Sequence, residues 1–203
     1  LLFIAGISYK IIGIAAAICT PAVVVLLYLI MQPDQEIIKG YQLLRILAWR
    51  YPKKYPDLAY QQQNSIMAVG SGQLWGKGLN NNSFDSVKNG NFIPEPHTDF
   101  IFSVASEELG FVGSATIVVL LMLISLECIL IARRAKDLAG RLICCGMAAL
   151  IGFQSFVNIC VTTGLMPNTG LTLPFVSYGL TSLVSLYMGI GIVLNVGLQP
   201  KKY

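Results

Sequence analysis

Residues 109–132 read LGFVGSATIVVLLMLISLECILIA, a run with a single charge, Glu127. A helix that crosses the hydrocarbon of a bilayer needs roughly 20 mostly apolar residues at about 1.5 Å rise each. This run meets that length and has nowhere to go in water. Three further windows behave alike: residues 11–31 (IIGIAAAICTPAVVVLLYLIM), 142–163 and 173–198 contain no charged side chain. The expected fold is therefore an all-α integral membrane protein with about four transmembrane helices and a large, partly helical extracellular loop.

Composition supports the same solvent. Hydrophobic residues make up 55% of the chain and charged ones 12%, where a soluble domain carries about a quarter charged. The mean hydropathy is +0.66. The spans predicted from these windows are 10–31, 101–132, 142–163 and 174–198. Residues 1–9 are apolar but too short to cross, and read as the end of a truncated preceding helix. On this reading the chain is the C-terminal part of a longer membrane protein.

Lys and Arg in short loops set the orientation. Arg133, Arg134, Lys136 and Arg141 lie in the loop 133–141, Lys201 and Lys202 in the tail 199–203, and Lys10 at the start of the first span. All fall on one side of a four-helix threading, which is then cytoplasmic. The loop 164–173 has neither Lys nor Arg and lies outside, with the long segment 32–100. The net charge of +4 is thus mostly a topology signal, and no basic face for nucleic acid is visible. The five cysteines (Cys19, Cys128, Cys144, Cys145 and Cys160) all sit within spans. Odd in number and set in apolar surroundings, they read as small core residues, neither a disulfide framework nor a metal site.

Within the long loop, apolar residues Ile37, Ile38, Tyr41, Leu44 and Ala48 recur near helical spacing and predict a short amphipathic helix that Tyr51-Pro52 stops. Pro56 predicts a turn, and residues 60–69 a second helix. Gly70, Gly72, Gly76 and Gly78 then surround Trp75 and Lys77. Such glycines let backbone approach a ligand, but the strand-to-helix context of a phosphate loop is missing; cradle and ordinary turn both stay open. Pro94-Glu95-Pro96-His97-Thr98-Asp99-Phe100 leads directly into the second span. The two prolines hold the backbone extended, Thr98 is the expected N-cap and Asp99 falls in the first turn. Capping accounts for Asp99 and leaves Glu95 and His97 without a task. Glu107 and Glu108 face either a water-filled cavity or the interface. Glu127 is expected to pair with Arg133 or Arg134.

These motifs together resemble the SEDS family (shape, elongation, division and sporulation), the proteins of the RodA, FtsW and SpoVE type. The resemblance covers about residues 32–198. It rests on Tyr41 with Arg45, Gln61 to Ser65, Gly70-Ser71-Gly72 through Gly76-Lys77-Gly78-Leu79, and Pro94 to Phe102 with Glu107 to Gly113. It continues through Gln154, Asn158, Gly164, Pro167, Thr169-Gly170, Leu173-Pro174 and Ser177-Tyr178-Gly179. Two positions depart from the family pattern, Leu180-Thr181 and Ile159-Cys160, where bulkier side chains stand in place of small ones.

The resemblance implies the C-terminal part of a ten-helix enzyme of the bacterial cytoplasmic membrane, with its active-site loop on the extracytoplasmic face. The implied activity is peptidoglycan glycosyl transfer, which polymerises lipid II into glycan strands during growth, division or sporulation. Asp99 then maps onto the essential carboxylate and serves as general base. Arg45 and Lys77 are candidates to meet the pyrophosphate, with Glu95, His97, Gln154 and Ser177 as further substrate-binding candidates. No cofactor is called for and no metal-ligand set is named, although a divalent cation (Mg2+ or Mn2+) suits pyrophosphate chemistry. Implied partners are lipid II, the growing strand and a class B penicillin-binding transpeptidase. The alternatives are a lipid II flippase and a non-catalytic scaffold for that transpeptidase. A flippase needs polar groups through the midplane, where Gln154 and Asn158 are the main ones on offer. The Asp99 carboxyl is pulled down by a helix start and up by burial beside Glu95, and burial is expected to win if it lines a cavity.

Overall fold

The computed structural model describes residues 40–79 and 97–199, together with the helical residues Ile14, Ala17, Ile18, Thr20, Pro21 and Val25. The expected span 10–31 lies, those six apart, outside the described residues, as do residues 1–9, Glu95, Cys19 and the tail beyond 199. Among the described residues the chain is helical, without strands. Its elements are α1 (Tyr41–Arg50), α2 (Pro56–Ser71), α3 (Ile101–Arg134), α4 (Leu138–Thr162) and α5 (Leu180–Leu198). Helices α3, α4 and α5 are long and apolar enough to cross a membrane.

The loop expected at 133–141 shrinks to Ala135–Asp137, so α3 and α4 form a tight hairpin with the most extensive packing in the molecule. Cys128, Ala132, Cys144, Cys145, Ala148 and Val193 form a close-packed cluster where α3, α4 and α5 meet. The four described cysteines are free and buried, and their small side chains let these helices approach. Helix α2 rests on α3 and α4, and α1 on α2. Phe100, Ala68, Val157 and Val161 form the core beneath that platform.

Several boundaries differ from expectation. Pro56 opens α2 instead of marking a turn before it, because its missing N–H is no loss in a first helical turn. Helix α5 begins only at Leu180; residues 174–176 are in turns, Phe175 has φ 62° and Gly179 is extended. Leu180 itself is exposed, so its bulk meets no close-packed backbone. Glu127 forms no ion pair among the described residues, since Arg134 lies two turns on, about 10 Å along the axis.

The largest difference is in α3, which is two helical segments meeting at Gly110 (φ 69°, ψ −166°). That conformation is essentially reserved for glycine. A break in a membrane helix frees carbonyls on one side and N–H groups on the other, and lipid can satisfy neither. The glycine-rich loop supplies both sets of partners. Lys77 and Gly78 donate their N–H groups to the carbonyls of Glu107 (2.9 Å) and Glu108 (3.1 Å). Phe111 and Val112 donate theirs to Gln73 (2.8 Å) and Leu74 (3.3 Å). Ser114 Oγ lies 2.9 Å from the Gly110 carbonyl and 2.8 Å from Ser106 Oγ, and its one proton serves one of the two. The backbones are so close that a Cβ at Gly72, Gly76 or Gly110 would collide with main-chain atoms across the junction.

Gly110→Ala is therefore expected to destabilise the fold through both strain and collision, by more than the ~1–3 kcal/mol of a disfavoured backbone conformation alone. Gly70→Ala meets nothing within 4 Å and is the matched control. Thermal unfolding of the intact protein in detergent should show a clear drop for the first and little change for the second.

Candidate functional site

The connection between α4 and α5 is irregular, and buried side chains hold it. Gly164, at φ 79°, turns the chain out of α4, and Leu165 and Met166 return their N–H groups to the Cys160 carbonyl at 2.7 and 3.1 Å. Gln62 of α2 donates to the carbonyls of Val161 (2.9 Å) and Met166 (2.6 Å). Trp49 of α1 donates its indole N–H to the Gly164 carbonyl at 2.8 Å. Ser65 Oγ reaches the Thr162 carbonyl (2.9 Å) and Ser103 Oγ (3.0 Å), which locks α2 between α3 and α4. Farther along, Gln154 donates to Thr172 O at 2.9 Å, and the buried Ser177 hydroxyl accepts the Leu173 N–H at 2.7 Å.

Asn158 links this connection to the turn that precedes α3. Its Nδ2 donates to the main-chain carbonyls of Asp99 (2.8 Å) and Leu171 (2.6 Å). Its Oδ1 is buried and has no partner among the described residues. Thr98, the expected cap, lies in the turn 97–100; the helix opens later, at Ile101, with Phe100 at the N-cap position and no side-chain cap bond. Asp99 is therefore outside the first helical turn, and the expected dipole effect on it does not arise in that form.

The Asp99 carboxylate and the Arg45 guanidinium flank Gly170. A Cβ at that exposed glycine (φ 71°) would sit 3.6 Å from a nitrogen of Arg45 and 3.6 Å from an oxygen of Asp99. The two charged groups are thus at most twice 3.6 Å apart. Arg45 also donates to the Asn168 carbonyl at 3.3 Å. Beside it opens a cleft of about 400 Å³, lined by Gln42, Arg45, Ile46, Pro167, Asn168 and Thr169. Burial pushes the Asp99 carboxyl above its ordinary value, and the positive charge of Arg45 pulls it partly back. The result is a carboxylate that holds a proton more readily than an exposed one, next to a fixed cation and an open gap.

The other sequence candidates divide. Lys77 is engaged by Glu107 at 2.7 Å, with the Glu107 side chain only 2% exposed. Glu107 lies about 9 Å along the helix from Ile101, so this cation is engaged at the helix junction. The N–H groups of Gly76, Lys77 and Gly78 all go to main-chain carbonyls, which answers the phosphate-cradle reading with a structural one. Gln154 and Ser177 hold loop backbone, as described above. The His97 side chain is exposed, and its carbonyl accepts the Tyr178 N–H at 2.9 Å. Asn158, Gln62 and Gly170 carry the geometry yet were not singled out as site residues. The available signal was a pair of amides on otherwise apolar or packed helix faces, since buried amides are found where they bond something. Among the described residues no three His, Cys, Asp or Glu side chains converge on a metal-sized site.

The family model for cell cycle proteins of the FtsW, RodA and SpoVE type matches residues 1–202. Among similar curated proteins, the probable peptidoglycan glycosyltransferase FtsW of Geobacter sulfurreducens is 39% identical over 181 residues, 89% of this chain and 46% of that protein. Stage V sporulation protein E of Bacillus subtilis is 42% identical over 157 residues, 77% of this chain and 42% of its own length. The peptidoglycan glycosyltransferase MrdB of Escherichia coli is 34% identical over 201 residues, 98% and 52% respectively. The chain thus spans about half the length of these relatives. A solved structure described as the structural coordination of polymerization and crosslinking by a peptidoglycan synthase complex matches with TM-score 0.68 and 30% identity. The match covers 97% of this chain and 51% of that one. The rod shape determining protein RodA of Thermus thermophilus matches with TM-score 0.50 and 31% identity over 79% and 49%.

Replacing Asn158 by Leu removes the donor to two carbonyls, and the freed cost of its own orphaned oxygen offsets only part of the loss. An unpaired buried polar group costs about 1–3 kcal/mol, so Asn158→Leu should destabilise by about that much. Asn158→Gln, which keeps the amide, should lose less; chemical or thermal unfolding of the intact protein distinguishes the two.

Proposed function

The chain belongs to the FtsW, RodA and SpoVE family of cell cycle proteins, and we propose that it supplies the active-site part of a peptidoglycan glycosyltransferase that polymerises lipid II. One observation carries the reading: a half-buried carboxylate and a guanidinium flank one open glycine, on a turn anchored from two directions. In this proposal the acceptor sugar hydroxyl attacks the anomeric carbon of the donor. A new C–O bond forms, the bond to the pyrophosphate oxygen breaks, and undecaprenyl pyrophosphate leaves with the electron pair. Asp99 takes the hydroxyl proton as general base. Arg45 meets the negative charge that develops on the leaving group. A pyrophosphate leaves without strong acid assistance, so one carboxylate suffices where a typical glycosidase uses two. A divalent cation, Mg2+ or Mn2+, is compatible with this chemistry; with no three-ligand cluster among the described residues, it would be held by substrate phosphates and Asp99.

The positive-inside pattern puts the Ala135–Asp137 end in the cytoplasm and Asp99, at the other end of α3, on the extracytoplasmic side. This is where a lipid-linked saccharide would be presented. A crosslinking transpeptidase is the proposed partner, by likeness to the synthase complex. The flippase alternative draws less support from the mid-bundle amides: among the described residues, the side-chain N–H groups of Gln154 and Asn158 both donate to loop carbonyls. A purely scaffolding role gives no reason for a half-buried acid beside a cation.

Asp99→Asn should lower lipid II polymerisation by about 10²–10⁴ while unfolding is unchanged, since Asn158 grips the main chain at 99 and not the side chain. Normal polymerisation by that variant would remove the base assignment. The pH profile supplies a second check. A base with a raised pKa is active above that value and loses activity as pH falls through it, so the acid limb should lie above the range of an ordinary aspartate. Arg45→Gln deletes the charge that lowers the Asp99 pKa and should move that limb to still higher pH, besides weakening turnover.

A further inference from the structure

At the end of the bundle away from Asp99, a second cavity of about 440 Å³ opens between α3 and α4. Ile129, Ala132 and Cys145 form its apolar wall, and Arg133 and Arg141 stand at its edge. Ala132 and Cys145 are buried, whereas both arginines are exposed. Neither arginine forms an ion pair among the described residues. The acidic groups of this region are Asp137 in the connection and Glu127 two turns down α3, against four basic residues, Arg133, Arg134, Lys136 and Arg141. Helix α4 starts in the same connection, with no side-chain cap from Asp137 on its first N–H groups, and a helix start favours an anion.

We propose that this pocket binds an anionic phospholipid of the adjoining leaflet, its phosphate between Arg133 and Arg141 and the upper part of an acyl chain along Ile129, Ala132 and Cys145. The composition matches the ligand in both halves. An apolar wall continuous with lipid-facing α3 takes hydrocarbon, and paired guanidinium groups suit a phosphate diester. The volume is in the range of small-ligand pockets, and basic pockets between spans on the cytoplasmic side are a known physical setting for anionic headgroups. Topology alone would explain the positive charges but not the cavity. Only two of the four basic residues line it; Arg134 and Lys136 do not.

The test uses the intact protein, delipidated and returned to phosphatidylcholine membranes with or without phosphatidylglycerol, with bound lipid counted by native mass spectrometry. Phosphatidylglycerol should be retained in preference to phosphatidylcholine. Arg133→Gln and Arg141→Gln should each weaken retention about fivefold and together about 25-fold, following the attraction of one basic side chain near an anionic surface. Arg134→Gln removes the same charge from the same loop and should change retention by less than twofold. Equal losses for Arg134→Gln and Arg133→Gln would mean diffuse surface attraction and overturn the pocket. Equal retention of the neutral lipid, or displacement of phosphatidylglycerol by millimolar inorganic phosphate alone, would also overturn it, the latter by showing a free-phosphate site.

Discussion

A helix that breaks must find partners for every main-chain group it releases, and the rest of this structure depends on how that demand is met at Gly110. The released carbonyls of Glu107 and Glu108 and the released N–H groups of Phe111 and Val112 are all taken up by one short loop, residues 73–78. That loop ends α2, so the repair also fixes where α2 lies against α3. The ion pair of Lys77 with buried Glu107 belongs to the same junction: a lone carboxylate there would be prohibitive, and the loop that mends the backbone also brings the counter-charge. With α2 held, Gln62 and Ser65 reach the end of α4, and the irregular connection that follows gains its supports.

The site is a consequence of that framework. Arg45 comes from α1, Asp99 from the turn before α3, and Gly170 from the connection after α4. They are held by hydrogen bonds from Trp49, Gln62, Gln154 and Asn158 to main-chain carbonyls of the turn before α3 and of the end of α4 and the connection after it. Amides and indole suit this task because each pairs a carbonyl that would otherwise be buried unsatisfied.

Much of this was legible in the chain. Apolar windows with at most one charge announce the long helices described, the helical spacing around Leu44 and Ala48 announces α1, and cysteines set in apolar runs announce core positions. What escaped depended on contacts between distant segments. Glycine is common enough in membrane helices that Gly110 does not advertise a break; the partners that permit it lie some thirty-five residues earlier. Lys77 carried a charge in a glycine-rich stretch and so suggested an anion, but its anion is Glu107 of the protein itself. Thr98 had the chemistry of a cap, yet Asn158 holds the Asp99 carbonyl and the turn runs on to Phe100. The nearness of Arg45 and Asp99 has no signature in spacing, because they lie 54 positions apart in the chain with α2 between them. Resemblance to a family pointed to Asp99; only the fold puts the cation beside it.

The grip of Asn158 on position 99 is through the main chain, which every amino acid shares. Architecture and reactivity at that position are therefore written in different atoms. On the proposed role of Asp99, a cell carrying an inert side chain at 99 would still make a properly shaped protein, and that protein would take its seat in any assembly that recruits by shape. The genetics should follow: such an allele would act dominantly, by occupying places that working copies need, whereas alleles that unpick the Gly110 junction would be recessive losses.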